Sequence, residues 1–397
     1  MVKEWHIMKL GDIFDFKNGL NKEKIFFGSG TPIVNYMDVY QKSGLKKADI
    51  KGSVTLDRSE IDRYEVRKGD VFFTRTSETP DEVGIASILL EEIEDCVFSG
   101  FVLRARPKKD VLLPEYCKYC FSTDKVRKEI ITNCTYTTRA LTNGKQLSAI
   151  EIPVPDKKEQ AKIATALSDI DNLISESEKL IRKYQAMKQG CLRHMFPRKG
   201  QTEPDMRLPG FSGAWEQRKF AEIAKRESSF RSSSYENPSV EYEDVLAEEG
   251  RLIKDIRMKE IKKTGIGFDG TQVLYGKLRP YLHNWLNPDF EGVAVGDWWV
   301  LKPVKMDKNF LYRLIQTRKF DEIANQSIGS KMPRADWNLV SNAEFSIPFS
   351  LDEQKKIAGV FDNLDNLIIL HQRKCEKYKM IKQGMMEDLL TGKVRLK

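Results

Sequence analysis

The sequence predicts a mixed α/β (α+β) protein in which two globular domains are joined by two long helices that form an antiparallel coiled coil with pseudo-two-fold symmetry. A helical segment occurs twice, at 159–190 and 353–384, and the copies are identical at 14 of 32 positions without a gap. Each copy follows a block rich in short strand-like runs, and the two blocks open alike at Trp5 and Trp215. The order is therefore globule, long helix, globule, long helix, which indicates two equivalent recognition ends.

The first block, residues 1–152, is predicted to form a globular domain of mixed structure. Short apolar runs bounded by turn residues predict strands at 31–36, 70–74, 84–90 and 97–104. A helical spacing of apolar residues follows at 114–131.

Residues 153–200 are predicted to form the central long helix. Two rows of mainly apolar side chains recur there at seven-residue spacing. They are Ile163, Ile170, Ser177, Tyr184 and Cys191, and Ala166, Leu173, Leu180 and Met187. A seam of this kind, about four heptads long, is typical of a coiled coil. About 35 residues at 1.5 Å each make a rod of roughly 50 Å. The alternative is that each long helix packs only on its own globular block.

Residues 201–347 are predicted to form the second globular domain, and residues 348–397 the C-terminal long helix. The second block has its own strand-like runs and late helical pattern, at 272–275, 293–304 and 309–325. The segments that begin at Gly69 and Gly270 correspond, because in each a turn glycine leads into an apolar run and then into basic side chains. Elsewhere the blocks diverge, which indicates one repeated scaffold with two different surfaces.

The composition admits a nucleic-acid partner and argues against a membrane protein. Lys and Arg total 66 against 58 acidic residues, and the net charge of +8 favours a polyanionic partner without demanding one. There is no run of about 18 apolar residues, so we expect no membrane span, and the N-terminal stretch lacks the apolar core of a signal peptide. The six scattered cysteines are typical of reduced thiols in a cytoplasmic protein.

Two short motifs are typical of cofactor or metal sites, but the residues around them do not fit such sites. Residues 265–270 match G-x-G-x-x-G, but a lysine-rich stretch precedes them and a strand-like run follows, where a dinucleotide site needs a strand and then a helix. Cys117 and Cys120 fall in a helical pattern, and no second Cys or His pair has zinc spacing. We find no catalytic constellation, metal site or cofactor motif, and therefore expect a non-catalytic protein without a cofactor of its own.

The doubled pattern resembles the specificity subunits of type I restriction-modification systems over the whole chain. The resemblance is carried by the junctions IPVPDKKEQAKIA and IPFSLDEQKKIA, which begin at Ile152 and Ile347. Each junction leads into a helix that contains DxLI and ends in KQG. The matching openings, Trp-x4-[Leu/Phe]-x2-Ile, add to it.

The resemblance implies two target-recognition domains, each reading one half of a split sequence of double-stranded DNA in the major groove. The paired helices would set the unspecified gap between the halves. It also implies assembly with methyltransferase subunits, normally two, and with restriction/translocase subunits. The S-adenosylmethionine, ATP and magnesium of such systems would belong to those partners.

Base edges in the major groove are read by Arg or Lys on guanine, by Asn or Gln on adenine and by Thr on several edges. The candidate DNA-binding residues of the first domain are Thr74, Arg75, Thr76, Thr137, Thr138 and Arg139. Those of the second domain are Lys277, Arg279, Tyr281, Lys331 and Arg334. For each, the alternative is a solvated surface residue or an arginine paired with a carboxylate.

The outward faces of the long helices and their KQG ends are candidate docking surfaces for methyltransferase subunits. The KQG ends are Lys188, Gln189 and Gly190, and Lys382, Gln383 and Gly384. The alternative for these residues is a solvated face of the coiled coil.

Two other functions stay open on the sequence alone. One is a single-chain DNA methyltransferase or nuclease with a catalytic site that we do not recognise. The other is a coiled-coil scaffold with no role on DNA. The basic surplus and the divergence of the globular blocks favour the DNA-recognition subunit over both.

Overall fold

The computed structural model describes residues 5–198, 200–259, 262–326 and 331–396. These residues form a mixed α/β structure, which confirms that part of the predicted fold. The chain divides into two compact units, of which unit 1 comprises Met1–Ser177 and Lys374–Lys397, and unit 2 comprises Glu178–Arg373. Each unit is described by itself below.

Unit 1 has short strands and short helices followed by one long helix. Its strands are β1 (His6–Lys9), β2 (Phe14–Asn18), β3 (Phe27–Val34), β4 (Gly44–Leu45), β5 (Gly52–Val54), β6 (Val71–Thr74), β7 (Thr76–Ser77), β8 (Ala86–Leu89), β9 (Val97–Phe98), β10 (Val102–Pro107), β11 (Thr135–Tyr136), β12 (Ala140–Leu141) and β13 (Glu151–Val154). Its helices are α1 (Leu10–Ile13), α2 (Tyr36–Gln41), α3 (Arg58–Tyr64), α4 (Pro114–Cys117), α5 (Asp124–Asn133) and α6 (Gly144–Ser148), and the long helix α7 (Lys157–His194) begins there.

The main sheet of unit 1 has the strand order β2-β10-β6-β8-β4, with β4 parallel to β8 and the other neighbours antiparallel. Every residue of β6 is buried. Val71 and Phe73 pack into one apolar cluster, whereas Phe72 packs into another. Because successive side chains of a strand point to opposite faces, β6 lies at the centre of a sheet that is covered on both faces. The strand therefore reads as a continuous apolar run instead of an alternating one.

Unit 2 repeats this arrangement with different lengths. Its strands are β14 (Glu216–Lys219), β15 (Ala224–Glu227), β16 (Phe230–Ser232), β17 (Ser239–Val240), β18 (Val245–Leu246), β19 (Arg251–Leu252), β20 (Thr264–Phe268), β21 (Val273–Gly276), β22 (Trp285–Leu286), β23 (Gly292–Ala294), β24 (Trp298–Pro303) and β25 (Glu344–Ile347). Its helices are α8 (Phe220–Ile223), α9 (Lys308–Leu314), α10 (Arg318–Ala324) and α11 (Trp337–Asn342), and the second long helix, α12 (Leu351–Leu390), begins there.

The strand β24 has the same central place in unit 2 that β6 and β10 have in unit 1. It lies in the sheet β15-β24-β21-β22 and pairs antiparallel with β15 and β21. Trp299 and Leu301 pack into one apolar cluster and Trp298 and Val300 into another. Its first four residues are buried, with a tryptophan on each face of the sheet.

Two helices predicted from periodicity are each divided in the structure. The predicted helix 114–131 is α4 and α5, and the predicted helix 309–325 is α9 and α10. A threonine caps the second helix of each pair, because Thr123 Oγ1 accepts from the Val126 N–H and Thr317 Oγ1 from the Phe320 N–H, both at 3.4 Å. A threonine at this position ends the preceding turn and starts a new helix.

Two strands predicted as continuous are also divided, each by a turn around a glycine. The predicted strand 97–104 is β9 and β10, and the predicted strand 293–304 is β23 and β24. Gly296 has φ of +97°, a conformation that favours glycine. The two turns occupy equivalent places in their units, and both border the candidate site described below.

The first turn of α7 is held within unit 1 by side chains from both ends of the chain. The carboxylate of Glu159 accepts from Trp5 Nε1 at 2.9 Å and from the guanidinium of Arg395 at 2.7 Å. Gln160 is fully buried, where its Oε1 accepts from the Leu113 N–H at 2.8 Å and its Nε2 donates to the Pro155 carbonyl. A buried amide with this many partners specifies one position of the helix on the domain.

The first turn of α12 is held within unit 2 in the same way. Glu353 accepts from Trp215 Nε1 at 3.3 Å and from Arg207 Nε at 2.8 Å. Gln354 accepts from the Asp307 N–H and donates to the Pro348 carbonyl, both at 2.8 Å. The repeated Trp opening and the repeated Glu-Gln pair therefore hold each globular part against the start of the helix that follows it.

Segments of the two long helices run antiparallel within each unit. In unit 1, Asp171 on α7 pairs with Lys382 on α12 at 2.7 Å, while the start of α7 meets Arg395 beyond the end of α12. In unit 2, Lys188 on α7 pairs with Asp365 on α12 at 2.7 Å. The lysines of the two KQG segments thus form ion pairs inside their own units, with the aspartates of the two DxLI segments.

No helix in the part of the chain that the structure describes is long and apolar enough to cross a membrane. No disulfide joins the described cysteines, and Cys117 and Cys120 are buried in the core of unit 1.

Candidate nucleic-acid interface

In unit 1, Arg75 is fixed at the exit of β6 by backbone contacts on both sides. Its N–H donates to the Phe101 carbonyl at 3.0 Å, and its own carbonyl accepts from the Thr142 N–H at 3.0 Å. Its Nη1 donates to the Gly100 carbonyl at 3.3 Å. The Phe101 side chain, which lies in the turn between β9 and β10, is 62% exposed. This part of unit 1 therefore presents a held guanidinium next to an aromatic ring that faces solvent.

The other predicted residues of unit 1 gather on one small sheet beside Arg75. The sheet has the order β11-β12-β7, and Thr76 in β7 pairs with Leu141 in β12. Thr137, Thr138 and Arg139 form the turn between β11 and β12, and all three are exposed. Arg139 Nη2 lies 4.0 Å from the carboxylate of Glu78, and both side chains are largely solvated, so this ion pair restrains Arg139 little.

Thr74 belongs to a different environment from the rest of the predicted set. Its side chain is fully buried. Its Oγ1 donates to the Glu82 carbonyl at 2.8 Å and accepts from the Ile85 N–H at 2.9 Å. Both hydrogen bonds close the loop that follows β6, so the Thr74 hydroxyl is committed to the fold, and we leave it out of the proposed interface.

In unit 2, Lys277 occupies the place that Arg75 has in unit 1. Its N–H donates to the Asp297 carbonyl at 2.9 Å, and its carbonyl accepts from the Ala335 N–H at 2.8 Å. Asp297 stands in the turn between β23 and β24, as Phe101 stands between β9 and β10. The two units therefore build the same backbone frame around a basic residue and place different side chains on it.

The remaining predicted residues of unit 2 surround this frame. Arg334 forms a β-bridge with Leu278 and donates from Nε and Nη2 to the Asp297 carboxylate at 2.9 to 3.2 Å. Arg279 has φ of +48° and donates its N–H to the Pro333 carbonyl at 2.7 Å. Its side chain is exposed, and so are the other two predicted side chains, Tyr281 and Lys331.

The Asp297 carboxylate stays charged in this setting. The hydrogen bond from Arg334 lowers the pKa of Asp297 from its ordinary value, and partial burial opposes that effect. The charge of Lys277, whose Nζ lies 3.5 Å from Oδ1, lowers the pKa further. The same hydrogen bond raises the pKa of Arg334. One carboxylate therefore holds two of the predicted DNA-binding cations, which is the alternative that the sequence left open for arginine.

Sequence reasoning missed three exposed or partly exposed side chains in these surfaces. Phe101 and Tyr136 lie among the predicted residues of unit 1, at 62% and 57% exposure. Asp297 lies among those of unit 2. Phe101 and Asp297 each follow a glycine within a run that the apolar pattern predicts as a single strand. These glycines were the available signal that a turn divides the strand. Nothing local marks Tyr136, because its exposure depends on the position of the β11–β12 hairpin.

Comparison with known proteins identifies the family to which the chain is similar. Residues 2–185 and 287–379 match the model of the family described as type I restriction modification DNA specificity domain. The putative type I restriction enzyme MjaX specificity subunit of Methanocaldococcus jannaschii is 25% identical over 421 residues, which cover 100% of this chain and 95% of that protein.

Two solved structures have a similar fold. The S subunit of the type I restriction-modification system from M. genitalium has a TM-score of 0.58 at 14% identity, covering 98% of this chain and 96% of that one. A chain from a study of complex assembly and conformational transition of the type I R-M system has a TM-score of 0.56 at 13% identity, covering 98% of each chain.

The family model covers well over half of the chain, so the protein belongs to the type I restriction-modification DNA specificity family. It is a specificity subunit, whose task is the recognition of DNA sequence and not catalysis.

Proposed function

We propose that each globular domain reads one half of a bipartite target in the major groove of double-stranded DNA. The observation that carries this proposal is the repeated backbone frame. Arg75 in unit 1 and Lys277 in unit 2 are held by equivalent hydrogen bonds, while the side chains around them differ. A common scaffold with different surface chemistry suits two domains that bind in the same way and read different bases.

The proposed interface of unit 1 consists of Arg75, Thr76, Thr137, Thr138 and Arg139. That of unit 2 consists of Lys277, Arg279, Tyr281, Lys331 and Arg334. These sets contain the guanidinium, ammonium and hydroxyl groups that hydrogen-bond to base edges. Phosphate contacts by the same cations would supply affinity that falls as salt rises.

We further propose that the two long helices pair along their length as an antiparallel coiled coil that fixes the gap between the half-sites. The antiparallel contacts of Asp171 with Lys382 in unit 1 and of Lys188 with Asp365 in unit 2 support this arrangement. Half-sites on one face of B-DNA are about 34 Å apart. Helices of 38 and 40 residues, at 1.5 Å per residue, are long enough to bridge that distance.

The proposed partners are methyltransferase subunits, two per specificity subunit, and restriction/translocase subunits. The domains are proposed to be 1–152 and 201–347, with the helices at 153–200 and 348–397 as spacers. The outward faces of the helices are the proposed docking surface. Within the KQG segments, Gln189, Gly190, Gln383 and Gly384 remain in that proposal, whereas Lys188 and Lys382 are held by ion pairs in their own units.

Methylation sequencing of cells that carry this chain with its methyltransferase tests the proposal. We expect a split motif in which each half contains a methylated adenine. Replacement of residues 1–152 by the corresponding block of a relative should change one half and leave the other intact. A continuous motif, or a swap that alters both halves, would contradict the proposal.

A methylation assay of the chain alone separates this function from a single-chain enzyme. We expect no methyl transfer from S-adenosylmethionine to DNA until the methyltransferase partner is added. Transfer by the purified chain alone would support the enzyme instead. DNA retention that is weak and insensitive to salt in the presence of the partner would support a scaffold.

A further inference from the structure

Asp297 is an acidic residue in the middle of a surface proposed to bind DNA. Its carboxylate receives Nε and Nη2 of Arg334 at 2.9 to 3.2 Å and lies 3.5 Å from Nζ of Lys277. A carboxylate at such a surface repels phosphates and neutralises cations that would otherwise attract them. The presence of the Asp297 carboxylate at this surface therefore needs a physical reason.

The fold of the turn does not supply that reason. In unit 1 the same frame closes around Arg75 with Phe101 at the equivalent place, and the backbone hydrogen bond is the same, 3.0 Å there and 2.9 Å in unit 2. The frame uses the carbonyl of the turn residue and not its side chain. A carboxylate is thus not required to form the turn.

Asp297 is itself held rigidly. Its carbonyl accepts from Lys277 N–H at 2.9 Å and from the hydroxyl of Tyr242 at 2.8 Å. The Tyr242 hydroxyl accepts in turn from the Leu278 N–H at 2.9 Å, and its ring lies 4.7 Å from that of the buried Trp298. A carboxylate on so fixed a backbone, with two hydrogen-bonding oxygens, fixes the plane of the guanidinium that it receives.

We propose that Asp297 is a positioning residue for sequence recognition, which holds Arg334 in the orientation that it needs to read a base edge. The inference rests on the proposed function of unit 2. The Arg334 side chain is 50% exposed while it is held in this way, so part of it faces solvent. An arginine that is oriented before binding loses less side-chain entropy when it contacts guanine, and it presents one geometry instead of many. Asp297 therefore increases discrimination between sequences at the expense of general affinity.

The substitution Asp297→Asn tests this proposal in the complex with the methyltransferase. The binding measured is that of the duplex target found by methylation sequencing, in competition with duplexes changed at one base pair. Discrimination in one half-site should fall by about tenfold, the effect of one good bidentate contact. Affinity for DNA without the target should rise, because one negative charge is removed from the surface. The rise follows from the charge alone, whereas a purely structural role of Asp297 predicts no fall in discrimination at a single base pair.

Three comparisons make the result decisive. Glu291→Gln, which removes an exposed carboxylate elsewhere in unit 2, should leave discrimination unchanged. Arg334→Lys should lose discrimination as Asp297→Asn does, and the double variant should lose no more than Arg334→Lys alone. Discrimination at the other base pairs of the same half-site, and in the other half-site, should be retained by every variant, which shows that both units are folded.

Unchanged discrimination in Asp297→Asn, or additive losses in the double variant, would overturn the positioning role. A wild-type complex that recognises no sequence would instead overturn the proposed function. The two failures are therefore distinguishable.

Discussion

The long helices offer a direct test of the proposed spacer. The helix α7 passes from unit 1 to unit 2 after Ser177, and α12 passes from unit 2 to unit 1 after Arg373. Four residues of helix-forming sequence inserted at both positions leave the contacts inside each unit unchanged. An α-helix rises 1.5 Å and turns about 100° per residue, so the insertion adds about 6 Å of length and a net rotation of about 40°.

The added length and rotation of the helices correspond to one or two base pairs of DNA. B-DNA rises about 3.4 Å and turns about 34° per base pair, in the same hand as the α-helix. The added length corresponds to nearly two base pairs and the added rotation to slightly more than one. The gap of the methylated motif should therefore grow by one or two base pairs, while both half-site sequences stay the same. Methylation sequencing of cells that carry the inserted variant measures this change.

The matched control is the same insertion in α7 alone. It puts the antiparallel segments out of register and should greatly reduce methylation without defining a new motif. An unchanged gap in the double insertion, or altered half-site sequences, would refute the idea that the paired helices set the spacing.

Other side chains of the two units give three more predictions. Arg313→Met should lower the free energy of unfolding by about 3 kcal/mol in urea titrations, because it removes the buried partner of Asp362 and Asp365 at 2.6 and 2.7 Å and leaves their charges less compensated. His283→Asn should destabilise unit 2 more at acidic than at alkaline pH. The hydrogen bond to Asp321 raises the pKa of His283 in the folded protein. The stabilisation by the charged imidazole is therefore complete below the pKa that His283 has in the unfolded chain, and it is lost as pH rises through the pKa of the folded state. Thermal melts at several pH values measure this dependence. We expect the exposed Phe101 ring to pack against a thymine methyl group in the major groove. Phe101→Ala should then weaken binding to one half-site about fourfold, the contribution of one buried methyl group. It should also abolish the effect of replacing that thymine by uracil in competition binding.

Each of these predictions has a control and a contrary outcome. Arg318→Met removes an exposed arginine of the same unit, so it should cost less than about 1 kcal/mol; an equal loss for both arginines would argue against the buried ion pair. A destabilisation by His283→Asn that does not vary with pH would mean that the imidazole charge is not stabilising. Phe349→Ala removes another exposed ring outside the interface, at 83% exposure against 62% for Phe101. If it weakened binding as Phe101→Ala does, the expected contact between Phe101 and a thymine methyl group would be wrong.

The sequence by itself determined the duplicated architecture, because that information is local and periodic. The two long helices are specified by heptad spacing and by repeated junctions, whose Glu159 and Glu353 hold equivalent tryptophans in the two units. The ion pairs of Lys188 and Lys382 give the lysine of each KQG ending an equivalent structural role. The divided helices also had a local signal, in the capping threonines, which apolar spacing alone does not detect.

The tertiary structure alone decided which candidate side chains face solvent and which cations are already paired. Thr74 and Arg75 are neighbours in sequence, yet the Thr74 hydroxyl is buried and the Arg75 guanidinium lies at the surface. Arg334 is bound by Asp297, 37 residues earlier in the chain. Burial and ion pairing depend on which distant segments meet, and residue type and local spacing carry little of that information. The residue types that can bind DNA were therefore readable from the sequence, but their orientation required the fold.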